Sequence, residues 1–120
     1  MKTGSSVSPD LLASSVIAVP PLARDEDLAL SKAQNQLIVK HLEDGGVRTL
    51  LYGVNANFYH IRPSEYRAIL KMLADIAGDE TMVIPAAGPA YGTMMDQAEM
   101  LRGTGFPTAM VLPQEGITTA

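Results

Sequence analysis

The chain has 120 residues, 47% of them hydrophobic, with 13 acidic and 9 basic side chains for a formal charge of -4. That is enough for one domain with a real core, and too apolar for general disorder. The lack of a basic stripe argues against nucleic acid as a partner, and the lack of cysteine excludes a disulfide scaffold or a thiolate metal site and fits a cytosolic protein.

No apolar run approaches the ~18 residues a membrane span needs. The stretch Leu11 to Pro21 ends in Pro20-Pro21 without a small-residue cleavage pattern, so a signal peptide is a poor reading. Residues 1–14 are expected to be a flexible lead-in, and 15–120 the folded part.

Ser15 to Val19 is short, β-branched and apolar on both faces, which predicts a buried parallel strand. After the solvated run Arg24 to Asp27 comes a helix with Leu30, Ala33, Leu37, Ile38, His41 and Leu42 at helical spacing. Ser31 and Gln34 have capping-box spacing, and Gly45-Gly46 stops the helix. Arg48 to Tyr52 is a second strand, running into Gly53-Val54-Asn55-Ala56-Asn57. A second helix starts near Pro63, carries the stripe Tyr66, Ile69, Leu70, Leu73, Ile76 and Ala77, and is capped by Gly78. Met82 to Ile84 is a third strand, leading to Pro85-Ala86-Ala87-Gly88-Pro89. Thr93 and Asp96 have N-cap and N3 spacing for a third helix that turns Met95, Ala98 and Leu101 inward and ends near Gly103. Thr108 to Leu112 is a fourth strand, followed by Pro113-Gln114-Glu115-Gly116.

Strand centres near Ala18, Leu51, Val83 and Met110 are about 33, 32 and 27 residues apart, one βα unit per period. Parallel strands joined by helices form a sheet covered by helices. Two closures fit: a small doubly wound sheet, or a (β/α)₈ barrel, which needs ~250 residues. A fourth strand with no helix after it favours the barrel, of which this chain would be the N-terminal half, truncated after strand four. In either closure, the loop at the carboxyl end of a strand is where ligands are bound.

From Ser15 onward the chain resembles the N-terminal half of the dihydrodipicolinate synthase / N-acetylneuraminate lyase family. Ala18-Val19-Pro20-Pro21 looks like its first strand ending in Thr-Pro, and Gly53 to Asn57 stands where it has Gly-Thr-Thr-Gly-Glu. Ile61 to Glu65 is similar to its Leu-Thr-x-x-Glu helix start, and Val83 to Gly88 to its Val-Ile-Ala-Gly-x-Gly strand. Met110 to Pro113 looks like its fourth strand. The resemblance implies a (β/α)₈ fold, a lyase or aldolase acting on pyruvate or a related 2-oxo acid through a lysine Schiff base, no metal or dissociable cofactor, and a homotetramer.

It also implies substrate-binding roles for Gly53, Val54, Asn55 and Asn57, with the carboxylate held by the Val54 and Asn55 amides and the Asn55 side chain. Val54 and Glu115 occupy relay positions of the family. Val54 has no hydroxyl to pass a proton, and Gln114-Glu115 replaces a Tyr-Tyr pair, so the resemblance implies a divergent branch with another substrate. The family's Schiff-base lysine and partner tyrosine would lie beyond Ala120. Lys32, Lys40 and Lys71 fall on helices and Lys2 in the lead-in, where burial does not supply the deprotonation such a lysine needs. The 120 residues alone are expected to be inactive.

Each site reading has a structural rival. Asn55 and Asn57 are good turn residues, and Glu115 suits a solvated loop. Tyr59 and His60 could line a pocket, and Tyr91 could reach the mouth or simply pack. His41 reads as a packed or half-exposed helix residue, and Met94, Met95 and Met100 as gap-filling core or interface residues. Gly88 to Gly92 lacks the spacing of a phosphate loop. Two rivals to the lyase remain: a barrel that binds a small ligand without catalysis, and a small stand-alone α/β binding domain.

Overall fold

Strands β1 (Ile17–Ala18), β2 (Thr49–Tyr52), β3 (Met82–Ala87) and β4 (Met110–Val111) lie side by side in chain order, and every neighbouring pair is parallel. This is the arrangement in a computed structural model, which describes residues 1–4 and 6–114. Helices α2 (Lys32–Asp44), α3 (Tyr66–Ile76) and α4 (Tyr91–Leu101) connect the strands, giving four successive strand units. Sequential strand order in a parallel sheet is the order of a (β/α)₈ barrel. A doubly wound sheet reverses order at a switch point.

The central unit follows its sequence closely. Tyr66, Ile69, Leu70, Leu73 and Ile76 recur at three- and four-residue steps and all are buried, together with Met72. The helix packs against α2, α4 and β3. Pro63 opens a 3₁₀ turn that leads into it. All six residues of β3 are buried, and the strand continues through Pro85, past the expected end at Ile84. Pro85 pairs opposite Tyr52 of β2, and Ala86 and Ala87 then pair with β4, so β3 has a neighbour along its whole length. Ser31 caps α2 by accepting from the Gln34 amide, and Gly45 with Gly46 (φ +91°) ends it.

The outer units depart from expectation. Strand β1 was expected to be buried on both faces. It is instead a sheet edge only two residues long, and Val16 beside it is 74% exposed. On α2 the buried side chains are Asn35 and Val39, while Leu37 is 61% exposed. Leu37, Ile38 and His41 face a trough of about 580 Å³ against Val19, Pro20 and Pro21. On α4 the buried residue is Gln97, and Met95 and Ala98, expected inward, are exposed. Strand β4 is the other edge, with Val111 63% exposed. Among the described residues no layer covers either flank of the sheet, where these apolar side chains lie.

Helix α4 begins at Tyr91, two residues before the expected Thr93 cap, with Ala90 at the N-cap and no side-chain cap. Gln97 accounts for its phase. Its Oε1 accepts from the Gly88 amide at 2.6 Å, which draws that face of the helix in to the end of β3. Gly78 does not end α3 as a left-handed cap. The helix stops at Ala77, and the Gly78 amide donates to Glu43 Oε2 at 2.8 Å, with the Thr81 hydroxyl on the same oxygen. A Cβ at Gly78 would stand 2.8 Å from that oxygen, so the position is held by the approach of Glu43 from α2.

Residues 1–14 were expected to be a flexible lead-in. The structure gives them a helix, α1 (Pro9–Ala13), capped by the Ser8 side chain. The Met1 ammonium donates to the Ala77 carbonyl at 2.7 Å and the Lys2 amide to the Thr81 carbonyl at 2.8 Å. These bonds tie the first residues to the loop that enters β3. Among the described residues no helix is long and apolar enough to cross a membrane.

Candidate functional site

The turn that follows β2 is the hub of the strand ends. Its 3₁₀ segment, Val54–Ala56, is closed by the Ala56 and Phe58 amides donating to the Gly53 carbonyl and the Asn57 amide to the Val54 carbonyl. Asn57 then takes a left-handed conformation (φ +58°), which asparagine tolerates better than most residues. From this turn two side chains reach outward in opposite directions. Asn55 Nδ2 donates to the Val19 carbonyl at the end of β1 (3.1 Å), and the Tyr59 phenol donates to the Pro113 carbonyl after β4 (3.0 Å). One loop thereby ties together the carboxyl ends of both edge strands.

Gly53 is buried, and a Cβ there would lie 2.8 Å from Met110 Cε of β4. The close approach at this glycine is thus to the flexible end of a side chain of this chain. Gly53→Ala should lower stability by no more than about 1 kcal/mol, since the Met110 thioether end can swing aside, and adding Met110→Ala should remove the part of that Gly53→Ala increment that comes from the contact. Urea unfolding of both single variants and the double variant measures the coupling. Equal penalties for Gly53→Ala with and without Met110 would refute the contact.

Val54 is 62% exposed, and Asn55 and Asn57 are exposed beside it at the mouth. The first amides of a 3₁₀ turn have no partner inside it, so those of Val54 and Asn55 are donors at the strand end. The Asn55 side chain, expected to donate to a carboxylate, spends one N–H on Val19 and so presents its Oδ1 and one remaining N–H. Glu115 lies outside the described residues. Tyr59 is half-buried and acts as a tie to β4, while His60 is exposed on the outer side of the same loop. Tyr91 is exposed at the start of α4, and the Gly88 amide is committed to Gln97. Lys32, Lys40 and Lys71 are all more than half exposed and paired with carboxylates, Lys32 and Lys71 with Asp75 and Lys40 with Asp44. The Lys71 ammonium, by hydrogen bond and charge, holds the Asp75 carboxyl below its ordinary range. Lys2 lines a hollow with Arg48, Thr49 and Glu80 at the opposite end of the strands. No described lysine stands at the mouth. Among the described residues, no three His, Asp or Glu side chains gather as a metal site would need.

What the sequence reading missed is the support under the turn. The Tyr66 phenol, fully buried at the start of α3, donates to the Ala86 carbonyl of β3 at 2.7 Å. Its ring meets Phe58 edge-on, with centroids 6.2 Å apart at 88°. Burial raises the phenol pKa far above its ordinary value of 10.0. Tyr66 appeared in the sequence only as the first member of an apolar stripe.

The class this architecture defines is the N-terminal half of a (β/α)₈ barrel with its candidate site at the carboxyl end of the strands. Solved structures agree. The chain superposes with a TM-score of 0.78 on a dihydrodipicolinate synthase from Rhodopseudomonas palustris, at 18% identity, over 97% of this chain and 40% of that one. It matches a 2-keto 3-deoxygluconate aldolase from Picrophilus torridus at 0.73 and 16% identity, over 88% of this chain and 41% of that one. A prophage protein of the dihydrodipicolinic acid synthase family from E. coli K12, solved with pyruvate, matches at 0.71 and 20% identity, over 82% and 34%. The family that the sequence resembles is the family of these structures, and at such identities the likeness establishes the fold. The chain spans about two-fifths of the length of the first of them. No family model matches the chain, and no curated protein does.

Proposed function

We propose that this chain is the N-terminal half of a class I lyase or aldolase acting on pyruvate or a related 2-oxo acid. The observation that carries the reading is the superposition over 97% of the chain on a dihydrodipicolinate synthase, with the β2 turn at the carboxyl end of the sheet. In this chemistry a lysine amine attacks the C2 carbonyl, water leaves, and the resulting iminium draws electrons from the adjacent carbon. The lysine would come from the other half of the barrel, since the four described here lie on helices or at the opposite strand ends. This half supplies the carboxylate seat: the Val54 and Asn55 amides, the free N–H of Asn55, and Asn57 at the rim. The whole protein would be a homo-oligomer and need no metal or dissociable cofactor.

One observation favours a second reading, a barrel that binds a 2-oxo acid without turning it over. The position of the family's relay hydroxyl is an exposed valine, Val54, which passes no proton.

Borohydride reduction in the presence of pyruvate separates the two readings. The lyase reading predicts that the whole protein gains one reduced pyruvyl group, on a lysine outside these residues, and that the 120-residue chain gains none. Labelling of Lys32, Lys40 or Lys71 would contradict the assignment, and a whole protein that binds pyruvate but is never trapped would establish the binding reading.

A further inference from the structure

On the outer rim of the mouth lies a groove of about 800 Å³ that touches the proposed carboxylate seat at Asn57 and is otherwise outside it. It runs between the loop after β1 and the loop after β2, so units one and two build it entirely. One wall is a tight hairpin. Arg24 and Leu30 pair antiparallel, and Asp25 Oδ1 accepts from the Asp27 and Ala29 amides. The Arg24 guanidinium donates to the Leu28 carbonyl at 2.8 Å and pairs with Glu65 at 2.9 Å, which locks the hairpin to the start of the α3 region.

Two features of this groove are unexplained by folding. Leu28 has φ +64° and is 73% exposed. A leucine is poorly suited to a left-handed position, and an exposed one gains nothing from burial there; glycine would serve the hairpin better. Arg62, on the facing wall beside His60, is exposed, and its guanidinium makes no hydrogen bond or ion pair among the described residues. With Arg24 already neutralised by Glu65, Arg62 is the cation the groove offers. Leu28, Leu30 and Ile61 give it an apolar lining, and Asp27 places a negative charge on the hairpin side that disfavours a multiply charged anion.

We propose that this rim groove binds a small organic monocarboxylate with an apolar body. The carboxylate lies on Arg62, with His60 beside it, and the body lies against Leu28 and Ile61. A planar guanidinium is well matched to one carboxylate.

Saturation-transfer NMR on the 120-residue chain tests this, because it reads the ligand and tolerates association of the protein. Hexanoate should receive saturation, while hexanol, with the same body and no charge, and acetate, with the charge and almost no body, should receive far less. Arg62→Gln should weaken hexanoate about tenfold, the factor one charge-assisted contact carries. Leu28→Gly should also weaken it, while the melting temperature stays level or rises as the left-handed position is relieved. Equal signals from hexanoate and hexanol would show only greasy contact with the open flanks and overturn the proposal. So would a hexanoate signal unchanged by Arg62→Gln or by Leu28→Gly, or no signal at all.

Discussion

Purified on its own, the 120-residue chain should sediment above its 12.8 kDa monomer mass, increasingly so as concentration rises. Among the described residues both edges of its sheet are unpaired, and each carries exposed apolar side chains: Val16 and Leu37 on the β1 side, Val111 and Met95 on the β4 side. An open parallel edge presents a row of unpaired amides and carbonyls, and burying the neighbouring apolar surface gains roughly 25 cal/mol per Å². No element of the described chain lies over either flank. Placing a charge on each, with Leu37→Glu and Val111→Lys together, should return the chain to a monomer at the same concentration without loss of helix signal. Neither side chain is buried, so the substitutions remove no core contact. A wild-type chain that stays monomeric at every concentration and unfolds in one cooperative step would contradict the half-barrel and favour a stand-alone α/β domain. Sedimentation velocity distinguishes these outcomes.

The second large effect is expected at Tyr66. This side chain joins three links of the fold: it opens α3, it packs on Phe58 under the candidate turn, and it satisfies the Ala86 carbonyl of the central strand. Tyr66→Phe removes the hydroxyl and leaves a buried carbonyl short of a donor, costing about 1–2 kcal/mol. Tyr66→Ala removes the ring as well and should cost about 3–5 kcal/mol, a large part of the stability of a domain this size. Urea unfolding at one fixed protein concentration measures both, and near-neutral values would show that the core does not depend on this contact. The same residue predicts a pH dependence. Burial raises the Tyr66 and Tyr52 phenols above their ordinary value of 10.0, with the Glu43 charge adding to the effect on Tyr52. The folded state thus keeps protons that the unfolded chain releases near pH 10. Their contribution is fully present below that pH and is lost as the pH climbs through the raised folded values. Tyr66→Phe should flatten part of this alkaline loss.

What the sequence made legible was what repeats or punctuates. The strand spacing, the Ser31 cap, the Gly45-Gly46 stop and the stripe from Tyr66 to Ile76 follow local rules, and the structure has them all. Hydrophobic periodicity locates a helix but does not say which apolar face is covered. Leu37 and Asn35 show this: the buried residue is the polar one, because its amide side chain holds the Ala23 backbone on both sides and the Ser31 carbonyl, while the leucine lies on the uncovered flank. Gln97 repeats the lesson on α4. At the candidate site, the position of the Gly53 to Asn57 turn was readable from a strand ending in glycine. Its ties to Val19 and Pro113 were not, because both join residues far apart in sequence to backbone carbonyls, which carry no signature in the side-chain code.

The most direct test of the account is the intact mass of the protein isolated from the cells that make it. A (β/α)₈ lyase whose first four units are these residues predicts a mass well above 12.8 kDa, with peptides from this chain followed by others that contain the lysine trapped by pyruvate and borohydride. A native protein of 12.8 kDa would contradict it. Such a protein would carry the fold of half a lyase without the nucleophile, and its function would have to be sought in what the strand ends and the rim groove bind.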